Sequence, residues 1–214
     1  EDYLLRAYAL PPQFGSVAKA YATPDFQVNT LLDDGVDPIP NPLAINFYTL
    51  GYDSNKKLQN LNVATKQNLQ NYLSYYRILT DAVNIKNAYI VNIGINFEII
   101  VLPNYNSNEV LLKCINTLKE FFAIERMGIN KPINLTDIYV TLDNIDGVQS
   151  VVRPDSENNG GLQIVNKFGG SYSNNKYNTK SATRNGIVYP PKDPTCFEVK
   201  YPDVDIVGKV VSLF

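Results

Sequence analysis

From Tyr89 to Val101 every odd position is apolar (Tyr89, Val91, Ile93, Ile95, Phe97, Ile99, Val101), while the even positions include Asn92, Asn96 and Glu98. Side chains of a strand alternate between two faces, so strict period two predicts a β-strand with one buried face. Gly94 falls on the other face, where a bulge or bend is expected because a strand this long seldom stays straight. Such a strand constrains everything around it, since its apolar face must be covered by other elements of the chain.

Two helices are expected to supply that cover. Asn106 followed by Glu109 has the spacing of a capping box, and Val110, Leu111, Cys114, Ile115, Leu118, Phe121 and Phe122 form a helical stripe behind it. A second capped helix starts near Asn134 with Asp137 and carries Leu135, Ile138, Tyr139, Leu142 and Ile145 inward. It is expected to stop at Gly147 as a left-handed C-cap, with a strand at 148–152 following at once. Strand, helix, link, helix, strand is an α+β arrangement: small mixed or antiparallel sheets with helices packed on one face.

On the N-terminal side, Asp2 opens a short helix stopped by Pro11 and Pro12, and strands are expected at 17–22 and 43–50. The polar, proline-broken stretch between them ends in "DDGVDPIPNP". Leu69, Tyr72, Leu73, Tyr76 and Leu79 have helical spacing within 64–79, and Val83 and Ile85 alternate as a short strand would. After Arg153 the composition shifts to Gly, Asn and Ser, with short strands expected at 162–165, 187–189, 197–201 and 206–213. The expected organisation is an N-terminal α/β subdomain over 1–86, a strand-helix-helix-strand α+β subdomain over 87–153, and an irregular, loop- and β-rich C-terminal segment over 154–214.

Composition narrows the chemistry. The 214 residues contain no histidine, which removes Ser-His-Asp and Cys-His arrangements and the usual zinc sites. Cys114 lies on the apolar stripe of its helix and Cys196 beside a strand start with no basic partner near it, so both read as packed free thiols rather than nucleophiles. Glu98 on the polar face of the long strand is the carboxylate that a glycosidase would need, yet no second acid stands at a defensible spacing. Asp33, Asp34 and Asp37 read as a solvated turn, because they lack the spacing and the terminal Glu of a calcium loop.

The glycine pairs at Gly160 and Gly169 are not followed by a phosphate-loop Lys and open no expected helix, so they read as turns. "NLT" at Asn134 matches a glycosylation acceptor, but Asn134 is expected as a helix cap. No catalytic, cofactor-binding or metal-ligating residue is therefore expected. The formal net charge of -2 gives no basic stripe for phosphates, so neither nucleic acid nor an anionic membrane is an expected partner. No apolar run of about 18 residues crosses a membrane. The 15 tyrosines suit interfaces and half-buried strand faces, and a receptor- or carbohydrate-binding module that uses them is the alternative reading.

Several blocks carry a resemblance. "EDYLLRAYALPPQFGSVAKAYATPD" resembles the segment of baseplate J-like proteins in which a Glu-Asp-Tyr helix start precedes a "V..A.A" strand. "NLQNYLSYYRILTDAVNIK", "GINFEIIVLPNYNSNEVLLKCINTLKEFF", "INLTDIYVTLDNIDGVQSV" and "GIVYPPKDPTCFEVKYPDVDIVGKVV" are similar to the C-terminal part of the baseplate wedge protein of T-even-type contractile-tailed phages. The resemblance implies a structural virion protein with no catalytic residues to carry over. It implies self-association, as dimer or ring contacts, and binding to other baseplate wedge proteins to form a ring around the tail hub. Its place would be the virion tail baseplate, and the host cytoplasm during assembly. A start at Glu1 without Met fits a fragment or processed product of such a protein. The Gly/Asn-rich segment 155–186 and the apolar strand 206–214 are the expected assembly edges, with deletion of 207–214 expected to abolish self-association or wedge binding.

Overall fold

The backbone of the long strand finds its neighbours at sequence separations from 47 to more than 100 residues. A computed structural model describes residues 2–25, 41–76, 82–154 and 160–211. The chain divides into two compact units, Glu1–Ala88 and Tyr89–Phe214.

In the first unit, α1 (Asp2–Tyr8) is followed by a 3-10 turn at Pro12–Phe14, β1 (Lys19–Asp25), β2 (Asn41–Tyr52), β3 (Leu58–Gln59), α2 (Val63–Ser74) and β4 (Ala82–Asn87). β2 is the hub of this sheet: β1 and β3 pair with it antiparallel and β4 parallel. β1 runs past the expected 17–22 to include Pro24, which an edge strand tolerates because its outward N–H is not needed. Asp2 lies in the first turn of α1 and accepts from Arg6 Nε at 2.9 Å, one turn away. Asn62 caps α2 by accepting from Thr65 N–H at 2.7 Å. Leu69 and Leu73 on α2 close over Phe47, Val83, Ala7 and Leu10 in the core of this unit. α2 ends at Ser74, short of the expected 79, and residues 77–79 of that expectation lie outside the described residues.

In the second unit the long strand is β5 (Tyr89–Val101), with the bounds its alternation predicts. It is followed by α3 (Ser107–Phe121), a 3-10 turn at Ile124–Arg126, β6 (Ile133–Asn134), α4 (Leu135–Asp143), β7 (Val148–Val151) and β8 (Gln163–Lys167). Then come α5 (Thr179–Ala182), β9 (Thr183–Arg184), β10 (Ile187–Val188), β11 (Thr195–Glu198), α6 (Pro202–Asp205) and β12 (Ile206–Val210). The fold is α+β, as expected.

Among the described residues four strands pair with β5: β11 and β12 parallel, β7 and β8 antiparallel. β8 and β12 share the partners Ile95 and Asn96, so they occupy opposite edges of β5. β8 likewise stands opposite β11 at Asn92, and β7 opposite β12 at Ile99. β11 and β12 are thus two halves of one interrupted edge, between which the chain leaves the sheet at Val199, turns through α6 and returns at Ile206. β5 extends roughly 40 Å at the usual strand rise and is paired along almost all of it. A third, small sheet has the order β6-β10-β9.

The apolar face of β5 is buried at Val91, Ile93, Ile95, Phe97 and Ile99. The helices contribute Val110, Cys114 and Leu118 from α3 and Ile138 and Leu142 from α4 to the core. Asn106 caps α3 by accepting from Asn108 N–H at 3.0 Å. Glu109 does not close a capping box; it pairs with Lys113 at 3.0 Å, one turn further on. Asn134 caps α4 as expected, accepting from Thr136 N–H at 3.0 Å.

Three expectations are corrected. The opposite face of β5 is not open: Asn92 and Gly94 are buried with the apolar residues, so the middle of the strand has two buried faces. Gly94 is not a bulge, since the registers with β8 and β12 carry no shift there; the shift lies at Ile100/Val101 against β7. Gly94 instead makes room, because a Cβ would stand 2.8 Å from Lys167 Cε and 3.0 Å from the Asp205 carbonyl. α4 ends at Asp143 with Asn144 as a right-handed cap, and Gly147, at φ 97°, shapes the turn after it where a Cβ would meet Tyr105 and Val110.

The C-terminal strand is a structural edge of the sheet, with Gly208 packed under the Phe97 ring and Leu111. Removing 207–214 therefore strips β12 from β5, and a loss of assembly would reflect lost folding as much as a lost contact. Gly208→Ala drives a methyl into Phe97 and is expected to lower stability by about 1–3 kcal/mol. Phe97→Leu in the same chain frees that space, so urea denaturation of both single variants and the double variant is expected to show a double less destabilised than the sum of the singles.

Candidate interaction site

Asparagine side chains carry both a donor and an acceptor, which lets them replace the backbone as hydrogen-bond partners where no strand is available. On the polar face of β5 they hold the segment that follows β8. Asn92, 1% exposed, donates through Nδ2 to Glu198 Oε2 at 2.8 Å and accepts from Ser173 N–H at 2.7 Å. Ser173 Oγ and Asn175 Nδ2 donate to the Ile90 carbonyl at 2.7 and 2.8 Å. Asn166 Nδ2 donates to the Asn92 carbonyl at 3.0 Å, while its Oδ1 accepts from Tyr177 N–H at 2.9 Å. Thr179 Oγ1 closes the run on the Ile164 carbonyl at 2.6 Å.

A second anchor lies at α6. Asp205, fully buried, accepts from Tyr172 O–H at 2.7 Å and from Tyr201 N–H at 2.8 Å. Burial, with the hydrogen bond to Asp205 second, pushes the Tyr172 phenol up to about 12. The Tyr172 and Tyr201 rings meet edge to face at 5.5 Å. Gly169 and Gly170, at φ 76° and 59°, form the tip of this segment, where Tyr172 N–H donates to the Gly169 carbonyl at 3.0 Å. They are turn residues, as their sequence context predicts.

The other residues singled out by sequence fall into place individually. Glu98 Oε2 accepts from Gly161 N–H at 3.1 Å, so its carboxylate ties down the approach to β8. Gly161, at φ 80°, lies where a Cβ would strike the Val152 carbonyl, so this Gly-Gly pair also serves the backbone path. Cys114 and Cys196 are both buried, and neither is in a disulfide. Burial pushes the Cys114 thiol up to about 11, which suppresses the thiolate a nucleophile needs. Asp33, Asp34 and Asp37 lie outside the described residues. Among the described residues no group of three or more acidic or cysteine side chains is placed to hold a metal ion, and no helix is long and apolar enough to cross a membrane.

The sequence reading missed one structured surface. Between β9 and β10, Asn185 and Gly186 both have positive φ, 52° and 76°, as in a two-residue type I′ hairpin. The Asn-Gly pair between Thr-Arg and Ile-Val was the available signal. This hairpin and the Pro190-Pro191 strap flank a cleft of about 520 Å³. A neighbouring cleft of about 250 Å³ shares Tyr177 and Pro191 with it and reaches Tyr89.

No protein-family model matches the chain, and no curated protein matches it. Among solved structures it is similar to a chain of the anti-feeding prophage baseplate, determined by cryo-EM and sixfold symmetrised, with a TM-score of 0.46 and 12% identity. That match covers 99% of this chain and 37% of the other, so this chain spans little more than a third of the length of the protein it matches.

Both thiols are expected to resist DTNB at pH 8 in the folded chain and to react once urea unfolds it. Asn92→Asp places a carboxyl oxygen where Nδ2 now donates, against buried Glu198, and two carboxyls so close must share a proton. The pair's folded pKa then lies above the unfolded values of about 4. The protonated pair keeps its full stability only below the unfolded values of about 4 and loses it as pH rises from there toward the folded pKa. The stability gap between Asn92→Asp and the parent chain is thus expected to widen from pH 4.5 to pH 8 in urea melts; a gap independent of pH would contradict the assignment.

Proposed function

We propose that this chain is a structural part of a contractile-tail baseplate, corresponding to the C-terminal region of a baseplate J-like wedge protein, and that it acts by assembly rather than catalysis. In this reading it self-associates and binds other wedge subunits in the ring around the tail hub, within the virion tail.

The observation that carries the proposal is the use made of the polar groups. Glu98, Asp205, Asn92 and Asn166 each make hydrogen bonds that fasten a loop to the sheet around β5. A catalyst must leave acid and base groups poised toward substrate. Here they stiffen a frame instead, which is what a subunit transmitting load through its neighbours requires. The order of the sequence blocks, running nearly end to end, supports the wedge assignment.

A receptor- or carbohydrate-binding tail module is the second reading, favoured by the half-exposed Tyr89 and Tyr189 beside the two clefts. Sedimentation equilibrium of the chain alone, and then mixed with wedge subunits, separates the two. The assembly reading expects a concentration-dependent oligomer or a heteromeric complex. A strict monomer that joins no wedge subunit but binds specific saccharides on a glycan array would replace it with the second reading.

A further inference from the structure

Arg184 and Lys192 both line the larger cleft and are exposed. Neither forms an ion pair, and no carboxylate lines this cleft among the described residues. Two unneutralised cations facing one concave surface favour an anionic occupant. The walls are preset: Pro190 and Pro191 have fixed φ, the Asn185-Gly186 turn holds Arg184, and Tyr177 O–H donates to the Tyr189 carbonyl at 2.5 Å. Tyr189 and Tyr89 are 45% and 50% exposed, so each offers a ring face for contact.

The shape selects among anions. The larger cleft shares Tyr177 and Pro191 as a common wall with the smaller one, which Tyr89, Asn174, Lys176 and Asp193 also line. The result is a trough with a cationic end and a mostly amide and aromatic end, longer than a point anion or a single sugar ring needs. Tyrosine, arginine and a rigid wall are also the composition of protein-protein hot spots.

We infer that this trough docks an extended acidic peptide segment of a partner protein, with its carboxylates on Arg184 and Lys192 and its chain laid over Tyr177, Tyr189 and Tyr89. The inference rests on the assembly reading, since the segment would belong to a neighbouring subunit of the same particle.

The test uses the whole chain and a fluorescein-labelled (Asp-Pro-Glu)₃ peptide, read by anisotropy, with (Asn-Pro-Gln)₃ as the neutral control. The acidic peptide is expected to bind at least about tenfold tighter than the control, and more weakly as salt rises. Arg184→Ala or Lys192→Ala is expected to weaken it about two- to fivefold, as for single exposed ion pairs. Arg184→Glu with Lys192→Glu is expected to abolish it while leaving the urea midpoint of the chain unchanged, and Tyr189→Ala is expected to weaken both peptides.

Equal binding of the two peptides, or binding undiminished in the charge-reversed variant, would overturn the inference. So would binding of oligogalacturonate in place of the peptide, which would assign the trough to an acidic saccharide. Sedimentation with wedge subunits is read separately: a trough that binds no acidic peptide in a chain that still assembles sinks this inference alone, whereas a chain that fails to assemble sinks the reading beneath it.

Discussion

The second unit depends on hydrogen bonding along both edges of β5. β7, β8, β11 and β12 are each five residues or fewer, too short to persist as isolated hairpins, and each is stabilised by pairing with the same 13-residue strand. The strand in turn would expose two rows of backbone groups without them. The sheet is therefore cooperative around one element, and its contacts join residues far apart in sequence, a topology that folds slowly for its size.

Pairing on two edges leaves two faces to be covered, and the chain covers them by different physics. The apolar face is closed by side-chain packing, with Phe97, Gly208 and Leu111 of α3 in close contact, while α4 adds Ile138 and Leu142 to the core. The polar face is closed by a hydrogen-bonded coat in which Asn92, Asn166, Ser173, Asn175 and Thr179 hold the segment after β8 against the sheet. Buried polar groups are expensive when unsatisfied and rigidifying when satisfied, so this coat fixes the hairpin and proline strap next to it. A surface built for partners gains from such presetting, because ordering costs at binding are reduced.

Much of the scaffold was legible. The bounds of β5, the Asn106 and Asn134 caps, the apolar stripes of α3 and α4 and the burial of Cys114 all follow from periodicity and local hydrogen-bond chemistry, which act over one or two turns of chain. The asparagine of the Gly-, Asn- and Ser-rich stretch after Arg153 was legible only as loop. Its use as a stand-in for backbone partners could not be read from composition, because the groups it joins to β5 in this way are 74 to 85 residues apart. The trough was half legible: Asn185-Gly186 announces a hairpin, whereas the gathering of Arg184, Lys192 and Tyr177 depends on how that hairpin lies against the strap.

What the amino-acid sequence determined by itself was the set of elements and the sign of each face, since alternation, stripe and cap are properties of neighbouring residues. Which strand lies along which edge of β5, and that Asn92 and Gly94 are buried, only the tertiary structure decided. Period two says that a face is polar, not that it is wet. Whether it is covered depends on a partner such as Glu198, 106 residues downstream, whose carboxylate meets Asn92 only after β11 has paired with β5.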